Sequence, residues 1–204
     1  MKKIIVSIAL ALLCTAAFSQ ENKITNNIML GGGLFLESGY DASSHNPGAV
    51  MRLSYGLDIP VAKEWSVMTG AGIRSQFSDI LHIGWVGGDP RFISYADLFL
   101  VARYHVVGDK GQDVIFGLGP DISIVTSPDT YYIDADPNDP RNGKETFKRY
   151  DVGLQPSVMF RKKHFQWGFE ANIGLLNVME QYPEFNQTGS IHFYNVMAVC
   201  GFFF

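Results

Sequence analysis

The chain has 204 residues, with 16 Lys and Arg against 20 Asp and Glu, and 47% of it is hydrophobic. That length supports one sizeable core or barrel, and 18% charge beside 13% aromatics excludes a disordered chain. A pI near 5.7 without any Lys/Arg run leaves no basic footprint, so no nucleic-acid partner is expected.

The N-terminus reads as an export signal. Met1, Lys2 and Lys3 form a short basic start, an apolar run follows from Ile4 to Leu13, and Ala17-Phe18-Ser19 fits the small-x-small cleavage rule. Cleavage after Ser19 divides the chain into a signal peptide, 1–19, and a barrel domain, 20–204, with Gln20 as the first mature residue. The apolar run is too short for an ordinary transmembrane helix. Cys14 raises a lipoprotein reading, but Leu13 precedes it where a lipobox wants Gly, Ala or Ser. The mature chain keeps 14 basic and 20 acidic residues and one cysteine, Cys200. It has no internal disulfide to form in an oxidising compartment.

Beyond the signal the pattern is period two, in stretches of about ten to fourteen residues between turn formers. Eight strands are expected. The first sets Ile28, Leu30, Leu34 and Leu36 on one face, and the second sets Met51, Leu53, Tyr55, Leu57 and Ile59 against Arg52, Ser54, Gly56 and Asp58. The third opposes Val67, Thr69, Ala71 and Ile73 to Met68, Gly70, Gly72, Arg74 and Gln76. The fourth opposes Ala96, Leu98, Leu100, Ala102 and Tyr104 to Asp97, Phe99, Val101, Arg103 and His105. The fifth has Val114, Phe116, Leu118 and Ile122 against Gly117, Gly119, Asp121 and Ser123. The sixth has Tyr150, Val152, Leu154, Val158 and Phe160 against Asp151, Gly153, Gln155, Ser157 and Arg161. The seventh has Trp167, Phe169, Ala171, Ile173 and Leu175 against Gly168, Glu170, Asn172 and Gly174. The last has Tyr194, Val196, Ala198, Cys200, Phe202 and Phe204 against Asn195, Met197, Val199, Gly201 and Phe203. Pro120 and Pro156 fall inside strands, where each removes a ladder donor. A bulge or bend with a one-residue slip in parity is expected around them, and fraying is expected to relieve the inward Phe203.

Connections alternate in length: short at 60–64, 107–113 and 161–164, long at 38–47, 78–92, 127–149 and 179–189. Short turns on one side and long polar loops on the other are the layout of an outer-membrane barrel, with both termini on the periplasmic side. A soluble barrel would carry its charge outside. Here one face carries almost none, while the other holds Gly, Ser and isolated charges suited to the narrow lumen of eight strands. Trp65, Tyr104, Phe160, Phe165 and Trp167 gather by the short turns, and Phe77, Phe92 and Tyr150 by the long loops, as interfacial girdles. The fold class is therefore all-β, an eight-stranded antiparallel up-and-down transmembrane β-barrel over residues 26–204 in the outer membrane of a diderm bacterium, its strands facing outer-membrane lipids.

The chain resembles the small outer-membrane barrels of Bacteroidetes, the PorT-like family, over its whole mature length. The resemblance rests on Tyr95-Ala96-Asp97-Leu98-Phe99-Leu100, Gly117-Leu118-Gly119-Pro120 with Ser123, Asp151-Val152-Gly153-Leu154, Gly174-Leu175-Leu176-Asn177 and the terminal Gly201-Phe202-Phe203-Phe204. It implies that the aromatic C-terminus, through Phe202 and Phe204, is the signal read by the barrel-assembly machinery. It is specific for fold and not for function.

Candidate chemistry is thin, and no catalytic, cofactor-binding or metal residue is assigned. Asp58, Asp97, Asp121, Asp151 and Glu170 share the lumen with Arg52, Arg74 and Arg103. They are expected to pair as a structural plug, because an unpaired buried charge is costly; the alternative is an ion pathway. Asp134, Asp136, Asn138 and Glu145 follow calcium-loop spacing, but Asp139 stands where the turn wants Gly, so a solvated acidic loop is favoured. His45 beside Ser43 and Ser44, His192 near Ser190, and His82 near Ser78 and Asp79 are the only Ser/His neighbours of a lipid-modifying enzyme, while His105 and His164 fall at the periplasmic end. Gly31-Gly32-Gly33 lies inside a strand and reads as room for neighbouring side chains. Ile80–Val86, with Ile83 and Trp85, is an apolar loop expected to pack on the rim, the alternatives being a lean into the outer leaflet or a protein partner. The expected role is non-enzymatic and cofactor-free: a plugged barrel presenting long extracellular loops for a structural, surface-interaction or envelope-accessory task. The alternatives are a lipid-modifying outer-membrane enzyme and a soluble periplasmic lipid-binding barrel.

Overall fold

The computed structural model describes residues 24–39, 47–77, 92–108, 112–127, 148–178 and 190–204. The elements among them are strands: β1 (Thr25–Gly39), β2 (Pro47–Ala62), β3 (Trp65–Phe77), β4 (Phe92–Val107), β5 (Gln112–Leu118), β6 (Pro120–Val125), β7 (Tyr150–Leu154), β8 (Ser157–Lys162), β9 (Phe165–Gly174) and β10 (Ile191–Phe203). Each pairs antiparallel with its neighbours, and β10 returns to β1 from Asn27↔Phe203 to Gly39↔Ile191. The sheet therefore closes without an edge. β5 with β6, and β7 with β8, each form one stave, so ten segments make the eight expected staves.

The two interrupted staves are the proline-bearing ones, and here the expected slip does not occur. β4 pairs with β5 at Ala102↔Leu118 and resumes with β6 at Phe99↔Asp121 in the same register. β6 meets β7 at Pro120↔Leu154, and β5 meets β8 at Gly117↔Ser157, again without an inserted residue. A proline lacks one donor, which breaks the ladder locally and adds nothing to its length. The two breaks lie side by side and are bridged by Gln155 N–H donating to the Gly119 carbonyl at 2.8 Å. The register shift that does occur is at Pro60/Ala62, beside the first short turn.

Strands run past the expected bounds: β2 and β4 each have 16 residues, where about ten cross a bilayer. At the opposite end from the long connections, Lys163 and His164 make a two-residue turn with Lys163 at φ 54°. Two-residue hairpins favour that left-handed conformation because it matches strand twist.

Parity follows the sequence pattern on every stave. Outward positions expose Leu34, Met51, Ile73, Leu98, Phe169 and Val196, within a set of thirty large apolar side chains exposed among the described residues. Inward positions bury seventeen polar or charged residues. The cylinder is inside out compared with a water-soluble protein. Gly31 and Gly33 face inward, where a Cβ on either would run into Val199 or the backbone beside Met197.

Candidate functional site

The densest chemistry in the molecule is its interior, and the alternation of the strands puts it there. Arg52 on β2 and Arg74 on β3 stand directly opposite each other, an arrangement that repels unless an anion intervenes. Asp97 of β4 pairs across to Gly72, where the missing side chain leaves room for the Arg52 guanidinium, whose Nε a Cβ there would approach to 3.3 Å. The Asp97 carboxylate lies 3.5 Å from Arg52 Nε and 3.2 Å from Arg74 Nε. Arg52 also binds Glu170, whose second oxygen accepts from Gln155 Nε2 at 2.6 Å. The Phe99 ring lies under the Arg52 guanidinium, 5.0 Å away, and the Tyr95 ring under that of Arg74, 4.7 Å away. Both are cation–π distances.

Toward the long-loop end, Arg74 donates to Asn172 Oδ1 at 3.0 Å and to Ser123 Oγ at 2.7 Å. Asn172 donates to Asp121, and Gln76 donates to Asn195 Oδ1 at 2.9 Å. Asp151 accepts from the Leu176 amide at 3.4 Å. Toward the short-turn end, Arg103 and Arg161 both donate to Asp58 Oδ2, at 3.0 and 2.7 Å. Arg161 also stacks on Phe203, 4.2 Å from the ring centre. The expected fraying of Phe203 is therefore replaced by packing: its amide donates to the His164 carbonyl at 3.0 Å. In a low-dielectric interior such pairing offsets the desolvation of each charge.

All eight lumen charges expected from the pattern are buried; seven of them have side-chain partners, in one group around Arg52 and Arg74 and another around Asp58, while Asp151 meets the Leu176 amide. The pattern did not mark Arg161 as the partner of Asp58. Nor did it foresee Ser66 Oγ lying 2.7 Å from His105 Nε2, a contact between residues 39 apart. The remaining candidates divide. His45, His82, the acidic loop from Asp134 to Glu145, the apolar loop with Ile83 and Trp85, and the signal peptide with Cys14 lie outside the described residues. His192 takes an outward register position opposite Ser38, and His164 contacts the Phe203 carbonyl at 3.3 Å. Among the described residues no cluster of three or more His, Cys, Asp or Glu is placed to hold a metal ion.

The girdles form as cross-strand pairs. Trp65 meets Tyr104 with ring centres 5.0 Å apart, Phe160 stacks on Trp167 at 4.6 Å, and Phe165 meets Phe202 at 5.5 Å, all near the short turns. Phe77 meets Phe92 at 4.9 Å near the long loops. An apolar exterior bounded by aromatic rings at both ends, around a charged interior, matches a bilayer and not water. The chain is an outer-membrane β-barrel.

Comparison of the sequence with protein-family models and with curated proteins finds no match. Among solved structures the barrel is similar to Ail, the attachment invasion locus protein of Yersinia pestis, at 10% identity and a TM-score of 0.47 over 88% of this chain and 98% of that one. Ail in complex with the heparin analogue sucrose octasulfate gives 10% and 0.45 over 89% and 99%. Neisserial surface protein A gives 10% and 0.48 over 87% and 96%. The closed strand pairing of the present molecule establishes its fold independently of these likenesses.

Proposed function

We propose that the protein is a non-enzymatic barrel with a plugged lumen, built to hold long extracellular loops at the cell surface for an interaction or envelope-accessory role. The observation that carries this is the arginine–carboxylate network. Arg52, Arg74 and Arg103 cross the bore to partners on staves far away in sequence, such as Glu170, Asn172 and Asp58. Side chains of that length leave little room for an aqueous path in eight strands. The rigid wall beneath long polar loops is the arrangement by which loops carry recognition.

Two finer assignments accompany it. The PorT-like resemblance is retained for the motifs in β4 to β10. Phe202, on the outward face of β10, and Phe204, just past its end, are exposed, which supports their reading by the barrel-assembly machinery. The soluble lipid-carrier alternative needs an apolar interior, and the buried charges reverse it.

Planar-bilayer recording tests the plug. Purified protein is expected to give no steady open level, and a persistent large conductance contradicts the reading. Lipid A mass spectra from cells with and without the protein are expected to be identical; a new lipid A species would restore the enzyme.

A further inference from the structure

The end of β8 and the turn into β9 carry Arg161, Lys162, Lys163 and His164 in a row, and strand alternation sends them to different places. Arg161 points inward, where Asp58 takes it at 2.7 Å. His164 lies against the Phe203 ring and its carbonyl. Lys162 and Lys163 remain. Both are exposed, and among the described residues neither side chain has an ion-pair or hydrogen-bond partner.

Lys162 stands on the lipid-facing side of the wall. It follows the outward Phe160 by two residues, roughly 7 Å along the strand, and its register partners are Gln112 on β5 and Phe165 on β9. Neither is a carboxylate. Just below, Phe160 stacks on Trp167 and Phe165 meets Phe202, and all four rings are exposed. A lysine above such a patch lays its stem along apolar surface and sets its ammonium group at headgroup depth. Lys163, at the tip of the turn, adds a second cation at the same place.

The first short turn is built differently. Lys63 is followed by Glu64, whose carboxylate accepts from Tyr104 Oη at 3.1 Å, and Tyr104 packs on Trp65. There a similar ring pair lies beside balanced charge. Beyond Ser19 the chain holds 14 basic against 20 acidic residues, so its net charge repels an anionic lipid. Any attraction to one is local.

We propose that the β8–β9 turn binds the headgroup of an anionic phospholipid in the periplasmic leaflet, which the short turns of such a barrel face. Lys162 and Lys163 meet the phosphate, and the acyl chains lie along the four rings. A soluble acidic peptide matches the two cations but leaves the rings uncovered, whereas a lipid answers both on one face. The site is independent of whether the lumen conducts.

Fluorescence quenching by brominated lipids tests this. The chain has three tryptophans, Trp65, Trp85 and Trp167, so Trp65→Phe with Trp85→Phe leaves Trp167 as the reporter beside the turn. The full mature barrel is reconstituted into phosphatidylcholine bilayers with rising fractions of dibrominated phosphatidylglycerol or dibrominated phosphatidylcholine. The anionic lipid is expected to occupy the Trp167 position at least about fivefold more tightly than the zwitterionic one, the effect of one basic residue near an anionic headgroup. Lys162→Gln with Lys163→Gln is expected to remove that preference, with the fold checked by the heat-dependent gel shift of a closed barrel. Trp65, left as sole reporter by Trp85→Phe with Trp167→Phe, is expected to show none. Equal quenching of Trp167 by the two lipids overturns the proposal. So does a preference that survives in the folded double lysine variant, or one that is as strong at Trp65.

Discussion

Asp97 separates two arginines that the register places face to face, and the carboxylate is 2% exposed. Removing it leaves two buried cations with less compensation, a change that costs about 3–5 kcal/mol when one partner of a buried pair is lost. Asp97→Ala is expected to lower the urea-unfolding free energy in liposomes by that amount; a change within experimental scatter would mean the network is not coupled. Lys163 is the opposite case, a residue whose backbone is under-served by its side chain. At φ 54° a non-glycine residue carries roughly 1–2 kcal/mol of steric cost. Lys163→Gly is expected to stabilise the barrel by about 1 kcal/mol in the same assay, against the usual destabilising effect of added glycine. Which residues line the lumen was legible from alternation alone, because one residue in two must face in. Who meets whom was not. Arg52 and Glu170 are 118 residues apart, and only closure of the sheet brings Arg161 to Asp58 or Ser66 to His105.

At the scale of the strand, space and lipid exposure decide which side chains are tolerated. Gly56 and Gly70 are opposite each other, and Phe99 pairs across to Gly70. A Cβ on Gly70 would stand 2.7 Å from the Gly56 Cα and from Phe99 Cζ. Neither the backbone nor a ring held under Arg52 has room to yield, so Gly70→Val is expected to cost at least about 1–3 kcal/mol as overpacking and to reduce the heat-modifiable fraction. Leu98, near the centre of β4, is exposed outward. Leu98→Arg is expected to cost about 2–4 kcal/mol in a bilayer, the penalty of a cation at the midplane. A neutral result there would place β4's even face in water. Strand existence and face were readable from period two. The proline staves depart from the pattern in one respect: Pro120 and Pro156 break hydrogen bonds while register and parity continue. The pattern shows a missing donor but not how neighbouring staves hold the line around it.

The whole molecule is held by closure. Asn26 and Phe204 exchange backbone hydrogen bonds at 2.8 and 3.0 Å, and the Asn26 side chain reaches the Phe204 carbonyl at 3.3 Å. Tyr55 donates to the same asparagine at 2.5 Å. First and last strands are thus fastened at the short-turn end beside the aromatic girdle. Removal of residues 202–204 deletes this fastening and the Phe165–Phe202 contact. It is expected to slow or prevent recovery of folded barrel from the outer membrane fraction. The barrel class was legible because the apolar face is continuous around all staves and the connections alternate in length. The periplasmic mouth was not, since its walls come from turns and strand ends whose neighbours only the closed cylinder defines.

Which strand face meets lipid decides between an inside-out barrel and a water-soluble one. Spin labels placed one at a time from residue 96 to 102 of β4, in barrels reconstituted into bilayers, report it through accessibility to oxygen and to a water-soluble nickel reagent. Labels at 96, 98, 100 and 102 are predicted to show high oxygen and low nickel accessibility, alternating with shielded positions between them. High nickel accessibility on the even positions would put that face in water and contradict the inside-out barrel.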